Sequence, residues 1–320
     1  MKARTALVTG GAGFIGSHIV EALLRREVQV WVVDDLSTGS ESNLKGALEG
    51  GANFLKADIR RIREAKGLPS SFDVVFHEAA IASVPKSIDD PMLVHDVNVN
   101  AALEVMNLCV ERGVKRFIFA SSAAVYGAVA SPPAKEEDYC APGSPYGASK
   151  LSVENYMHAY RSAYGLETVA LRYFNVYGPR QRSDDDYSGV IPLFARQLLT
   201  GVTPKIFGDG LQTRDFVYVG DVAEANMLAM DTAEASGQVF NIASGSNVTI
   251  LDLLEVMAEV TGSGPVRPAF GPPRQGDARV GSSSIERARR LLHYSPRVGL
   301  DEGLGNVVKY LGLKLGVPAR

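Results

Sequence analysis

The stretch VTGGAGFIGSH (Val8–His18) joins a short apolar segment, TALVTG, to a run with helical spacing, FIGSHIVEALLRR. Of its four glycines, Gly10, Gly13 and Gly16 recur at every third position across the joint. In a strand–turn–helix unit they serve a tight turn, close approach of a diphosphate to the backbone, and packing of helix on strand. The helix N-terminus then offers unpaired N–H groups and a partial positive charge to phosphate. An acid follows at the end of the next apolar run, VQVWVVDD: Asp34, 18 residues after Gly16. A carboxylate there accepts hydrogen bonds from the ribose hydroxyls of a dinucleotide and repels a 2′-phosphate. The following DLSTGS has no arginine to bind that phosphate, so NAD is expected rather than NADP. The expected cofactor cleft also takes in Phe14 and Ile15, the loop Asp35, Leu36, Ser37, Thr38 and Gly39, then Asp58 and Ile59 beside the adenine, and Ala79, Ala80 and Ile81 after a later strand.

Outward from this unit the pattern repeats. FDVVFHEAA and VKRFIFASS read as further buried strands, and 91–113 and 146–164 as helices. Continuous apolar strands linked by helices imply a parallel sheet covered on both faces, and right-handed crossovers then give a doubly wound α/β fold. Beyond Asn175 the chain turns loop-rich, with short strands and stretches such as GSGPVRPAFGPPRQGD. The expected division is 1–174 plus 216–245 for the nucleotide-binding part and 175–215 plus 246–320 for a smaller α/β part.

The bulk composition fits this picture. The 320 residues are 46% hydrophobic and 22% charged with a net charge of −3, which gives no basic surface for nucleic acid or anionic membrane. Two cysteines and five scattered histidines show no metal-ligand spacing, so no metal is expected. No run approaches the ~18 apolar residues of a membrane span, and TALV is too short for a signal sequence, so a cytoplasmic protein is expected.

Chemistry enters at SPYGASK (144–150). Tyr146 and Lys150 are four residues apart, on one face of the expected helix. With the glycine motif, SSAAVYG (121–127) and YGASK in this order, the chain resembles the extended short-chain dehydrogenases/reductases. More specifically it is similar to the NAD-dependent nucleotide-sugar epimerase/dehydratase family, and within it to the UDP-hexose 4-epimerases. The likeness extends through LRYFNVYGPRQ, FGDGLQTRDFVYVGDVA, FNIASG and RQGD, nearly the whole chain. It implies a Rossmann-type sheet and Tyr146 as acid/base on a sugar hydroxyl, assisted by Ser122. It also implies Lys150 on the nicotinamide ribose and Phe174 near the nicotinamide. Lys150 and the positively charged nicotinamide ring are expected to lower the phenol's pKa.

For the sugar nucleotide the resemblance implies Arg214 and Arg274 at the diphosphate, Asp277 beside the ribose, Phe207 on the uracil, Asn175 at the phosphate or sugar, and Val190, Ser83 and Val84 nearby. Family dehydratases carry Asp and Glu where this chain has Ala123 and Ala124. Methyl groups cannot serve as base and acid for elimination, so oxidation at C4 and return from the opposite face is the expected reaction. UDP-glucuronate 4-epimerisation is the alternative, and it needs a cation at C6. Seven residues past Arg274, Gly281 matches the wall beside the sugar's C2 substituent, where a small residue leaves room for an acetamido group. A homodimer through the helices at 91–113 and 146–164 is expected, with Val105, Met106, Tyr156 and Tyr160 on its face. The departures from the family pattern include Glu78 in HEAA, where many members are apolar.

Overall fold

A computed structural model describes residues 3–127, 132–183, 189–273 and 279–317. Its strands are β1 (Thr5–Thr9), β2 (Gln29–Asp34), β3 (Asn53–Lys56), β4 (Val74–His77), β5 (Arg116–Ser122), β6 (Glu167–Tyr173), β7 (Asn175–Tyr177), β8 (Lys205–Phe207), β9 (Thr213–Arg214), β10 (Phe216–Tyr218), β11 (Gln238–Ile242), β12 (Val248–Thr249), β13 (Ala269–Gly271) and β14 (Val280–Gly281). The helices are α1 (Phe14–Arg25), α2 (Lys45–Glu49), α3 (Val84–Asp89), α4 (Pro91–His95), α5 (Ala101–Glu111), α6 (Pro145–Tyr164), α7 (Val190–Leu199), α8 (Val219–Asp231), α9 (Ile250–Thr261), α10 (Glu286–Leu292) and α11 (Leu300–Leu315).

Seven strands form one sheet in the order β11-β6-β5-β4-β1-β2-β3, all parallel. The order reverses between β1 and β4, and it is at the strand ends beside such a reversal that open α/β sheets bind their ligands. Both faces are buried, which is why β4 (VVFH) carries no exposed residue. On one face Ile19 and Leu23 of α1 and Met227 of α8 pack against Phe76, Ile118 and Phe240. On the other, Val105 and Met106 of α5 and Val153 and Met157 of α6 cover Phe117 and Phe119. Val105 and Met106 are fully buried in this core, so they form no part of a dimer face. They lie on the inner side of α5, a distinction that apolar character alone does not make.

A further core joins α7, α9 and α11 through Phe194, Leu253, Met257, Leu304 and Val308. Packing departs from the expected segments in more than one place: Phe216 joins the core of α7, α9 and α11, and Val176 packs on that of the main sheet. Ile285, Ala288, Leu292 and Tyr294 join the core of the main sheet although they follow β14, and the Tyr294 hydroxyl donates to the Ala243 carbonyl at 3.0 Å.

Helix α6 carries the motif to its place. Ser144 caps it, accepting from Gly147 N at 3.2 Å, Pro145 stands in the first turn, and Gly165 ends it at φ +70°. These are the start and stop signals of an autonomous helix. A buried ion pair, Arg172 on β6 with Glu154, 2.7 Å, fixes the helix to the sheet, and Ser121 on β5 donates to the same carboxylate at 2.5 Å.

Candidate active site

The glycine turn is built as the sequence implies. Gly10 has φ +70°, and a Cβ there would lie 2.5 Å from Ala79 N. At Gly16 a Cβ would lie 2.3 Å from the Gly10 carbonyl oxygen, so any side chain would push α1 off the turn. Gly13 caps α1, with Phe14 and Ile15 opening it. Asp34 ends β2, only 7% exposed, and its two oxygens accept from Ala12 N (3.0 Å) and Leu36 N (2.9 Å). Burial raises its carboxyl pKa, against the pull of those two amides. Each oxygen keeps lone-pair capacity for a hydroxyl donor. In the adjoining loop Asp35 accepts from Ser37 N at 2.8 Å, Leu36 has φ +64°, and Thr38 leads into Gly39, where a Cβ would crowd Asp34 Oδ1 at 2.9 Å. A dinucleotide fits this cradle: the backbone is bare where a diphosphate must approach, and a fixed acid stands at the next strand tip.

Asp58 and Ile59 sit at the end of β3. Ile59 is buried, while the Asp58 carboxylate caps a short 3-10 helix and pairs with Arg60 at 2.5 Å. Past β4, Ile81 is held by Asn98, which accepts from Ile81 N (2.8 Å) and donates to its carbonyl (3.2 Å). Asn98 also donates to Ser149 Oγ at 3.0 Å, and Ser149 donates to the Tyr146 carbonyl at 2.7 Å. It thus ties Ile81 to the helix that carries Tyr146 and Lys150. Asn98 is a positioning residue that motif reading missed; its only signal is a polar side chain inside an otherwise helical run.

Tyr146 and Lys150 point to the C-terminal edge of the sheet. Ser122 bears on the Tyr146 phenol and favours its ionised form, and its Oγ accepts from Ala124 N at 3.2 Å. Lys150 Nζ donates to the Ala120 carbonyl at 2.7 Å, lies 4.8 Å over the Phe119 ring and is 5.9 Å from the Tyr146 ring centroid. Burial pushes its pKa down to about 8, against the opposing charges of Glu78 and Glu154. The expected lowering of the phenol by Lys150 is not found. Burial raises the Tyr146 pKa and Glu78 adds to that, with Ser122 as the counterweight. The amine is turned toward Ala120 rather than the phenol oxygen, which accounts for the difference. Phe174 packs 6.4 Å from the Tyr126 ring, behind this group.

The substrate-side residues are gathered less tightly. Ser83 caps α3, accepting from Lys86 N at 3.2 Å, and Val84 is 40% exposed. Asn175 donates to the Asp215 carbonyl at 2.9 Å, Val190 opens α7, and Phe207 ends β8 with Lys205 Nζ 5.1 Å from its ring. Arg214 and Gly281 are register partners on β9 and β14. Buried Asp215 organises this corner, accepting from Ser244 N (2.8 Å), Gly245 N (3.0 Å) and Ser283 Oγ (2.8 Å). Arg274 and Asp277 lie outside the described residues.

The profile of the NAD dependent epimerase/dehydratase family matches residues 6–243. The chain belongs to this family. A UDP-glucose 4-epimerase of Mycolicibacterium smegmatis is 40% identical over 308 residues, 95% of this chain and 97% of the relative. Among solved structures, a UDP-glucose 4-epimerase with UDP-glucose from Thermotoga maritima superposes with TM-score 0.89 at 38% identity, over 97% of this chain and 99% of that one. A UDP-N-acetylglucosamine 4-epimerase from Methanobrevibacter ruminantium M1, in complex with UDP-N-acetylmuramic acid, gives 0.91 at 37%, over 98% and 100%.

Proposed function

We propose that this protein is a UDP-hexose 4-epimerase that interconverts UDP-glucose with UDP-galactose, and UDP-N-acetylglucosamine with UDP-N-acetylgalactosamine. The observation that carries this reading is the Tyr146 phenol, with Ser122 bearing on it, beside a short 3-10 helix that presents only the methyl groups of Ala123 and Ala124. The site has a proton acceptor for one hydroxyl, and neither alanine supplies the second acid–base pair that elimination of water requires. The relatives' names point the same way, and UDP-glucuronate remains the alternative substrate.

Bound NAD, held by the turn at Gly10–Gly16 and by Asp34, supplies reversible oxidation and reduction at the sugar carbon. Tyr146 takes the proton of the sugar O4 and returns it after the ring has turned. Ser122 orients the phenol during both transfers. Lys150, anchored on Ala120, holds the ribose side of the site. Arg214, with Arg274 and Asp277, grips the diphosphate and ribose so that only the sugar moves, a task suited to planar guanidinium groups. Asn175, Val190 and Phe207 complete the nucleotide side, with Ser83 and Val84 on the sugar side. Residues 1–174 with 216–245 would then carry the cofactor, and 175–215 with 246–320 the sugar nucleotide.

The acetamido sugar is included because of Gly281. Its φ is not positive, so a turn requirement does not account for the glycine; a Cβ would crowd Arg214 and the Thr213 carbonyl at 3.1 Å, and the absence of a larger wall residue is what would leave room for the acetamido group. We place the enzyme in the cytoplasm, in galactose and amino-sugar nucleotide metabolism, as a homodimer. No described helix is long and apolar enough to cross a membrane.

The test is NMR of the purified protein with UDP-glucose, UDP-N-acetylglucosamine and UDP-glucuronate in turn. Epimer formation from the first two without added NAD is expected. Tyr146→Phe should slow it by about a hundred- to ten-thousand-fold with the fold retained by circular dichroism. A 4-keto-6-deoxy product, or net build-up of reduced cofactor, would overturn the reading.

A further inference from the structure

Among the described residues, Glu78 is a carboxylate beside the proposed site to which the proposed reaction gives no task. It follows β4 directly, one residue beyond the paired His77 and Phe119, and so lies beside Ala120, whose carbonyl binds Lys150. Its backbone N donates to the Thr9 carbonyl at 3.1 Å, which places it against the glycine turn. Tyr173, from the far side of β5, donates its hydroxyl proton to Glu78 Oε1 at 3.0 Å. The same hydroxyl accepts from Asn226 of α8 at 2.8 Å. A relay of three polar side chains, inside an apolar layer that includes Phe76 and Ile118, therefore ends on this carboxyl.

The groups that bear on Glu78 can be named element by element: Lys150 and Tyr146 from α6, Tyr173 from β6, and the neighbouring His77 on β4. Burial and Lys150 depress His77 to a pKa of about 3, so it stays neutral. Lys150 is then the cation of the group, and Glu78 and Tyr146 are the two acids beside it. Burial holds Glu78 up to about 7, against the Tyr173 hydrogen bond and the charge of Lys150. Its negative charge in turn raises the pKa of Tyr146 and of Lys150.

Resting on the epimerase reading, we infer that Glu78 is a positioning residue for the proton chemistry of Tyr146: the two acids share one negative charge against Lys150, so the protonation of Glu78 sets how readily the phenol ionises. An ionised Glu78 opposes the phenolate and holds Lys150 cationic. When Glu78 takes a proton from water, the phenol can lose one at no net change in the charge of the site. No bond other than O–H is made or broken, and no co-reactant is needed.

The test is Glu78→Gln, which keeps an acceptor for Tyr173 and removes the charge. Two readouts are compared with the wild type: the ultraviolet absorbance of the phenolate as the purified protein is titrated, with Tyr146→Phe subtracted, and the pH profile of kcat/KM. The phenolate midpoint should fall by about one pH unit. The acid limb of the profile should move with it, and the alkaline limb should also move to lower pH as Lys150 loses its carboxylate. Glu78→Ala removes the same charge and should shift the midpoint the same way, which keeps a test available if the glutamine variant does not fold. Unchanged midpoints in the variants that fold, whether or not their rates drop uniformly, would overturn the inference. The titration needs no sugar, so failure of the wild type to epimerise would count against the function alone.

Discussion

At the scale of single residues, the buried Lys150 is a destabilising cation, kept where the proposed chemistry would use it. Lys150 is 3% exposed, and a lysine driven from 10.5 to about 8 disfavours folding by about 3 kcal/mol at neutral pH. The sign follows from the depressed value: the cost is full below pH 8, where folded and unfolded chains are both charged, and vanishes above 10.5. Lys150→Met should therefore be inactive yet more stable at pH 7 by about 1–3 kcal/mol in urea unfolding, and the gain should shrink as pH rises through 8–10.5. An equal or lower midpoint at pH 7 would contradict this. Gly281 offers a second residue-scale prediction. A Cβ there would lie 3.1 Å from both Arg214 Cδ and the Thr213 carbonyl. Gly281→Ala should thus weaken UDP-glucose and UDP-N-acetylglucosamine about equally, through Arg214, and Gly281→Tyr should further cut turnover of the acetamido sugar by about tenfold to a hundredfold. Equal losses for both sugars in the tyrosine variant would remove Gly281 as the gate. The turn at Gly10, the acid at the tip of β2 and the shared helix face of Tyr146 and Lys150 were legible from local spacing, whereas the roles expected of the last two came from the family resemblance. Glu78 was visible as an oddity but not as a partner of Tyr173, because 95 residues separate the two along the chain.

Elements place these residues, and the critical one is α6. Glu154 follows Lys150 by one helical turn and is only 6% exposed with its partner Arg172. Removing one member of such a pair strands the other charge in the interior, so Glu154→Ala should cost about 3–5 kcal/mol. Because Lys150 also loses an opposing charge, its amine should titrate lower still, which separates this variant from a simple packing defect. Denaturant unfolding together with the alkaline limb of kcat/KM checks both parts; a change below about 1 kcal/mol would mean that the pair is not what fixes the helix. The main strands and α6 were readable from apolar runs and caps. The short strands β8, β9, β12, β13 and β14 were not, since two or three residues carry no period and their pairing depends on partners far along the chain. The turn at 96–100, where Asn98 reaches Ile81 and Ser149, was likewise hidden inside what reads as one helix.

At the scale of the whole molecule, the parallel order of the sheet puts Gly10, Glu78, Ser122 and Tyr173 on one edge, while the faces of α3, α4, α5 and α6 that turn away from the sheet lie on the outer surface. That surface carries large apolar groups with nothing over them: Ile88 is 63% exposed, Met92 75%, Tyr156 43% and Tyr164 61%. Tyr156, Tyr160 and Tyr164 fall at four-residue intervals on one side of α6, and Tyr160 donates to Asn107 of α5 at 2.7 Å, so the stripe borders both helices. A second copy laid on this stripe would form a four-helix contact and bury the rings. The proposed dimer therefore keeps Tyr156 and Tyr160 on its face and exchanges Val105 and Met106 for Met92 and Tyr164. Light scattering should give the mass of two 34.2 kDa chains. Tyr156→Glu with Tyr164→Glu should yield a monomer that binds NAD through an intact turn, since a charge placed in a packed interface costs several kcal/mol while the sheet edge lies elsewhere. A wild-type monomer at micromolar concentration, or a dimer unmoved by the double substitution, would assign these rings to some other use of the surface.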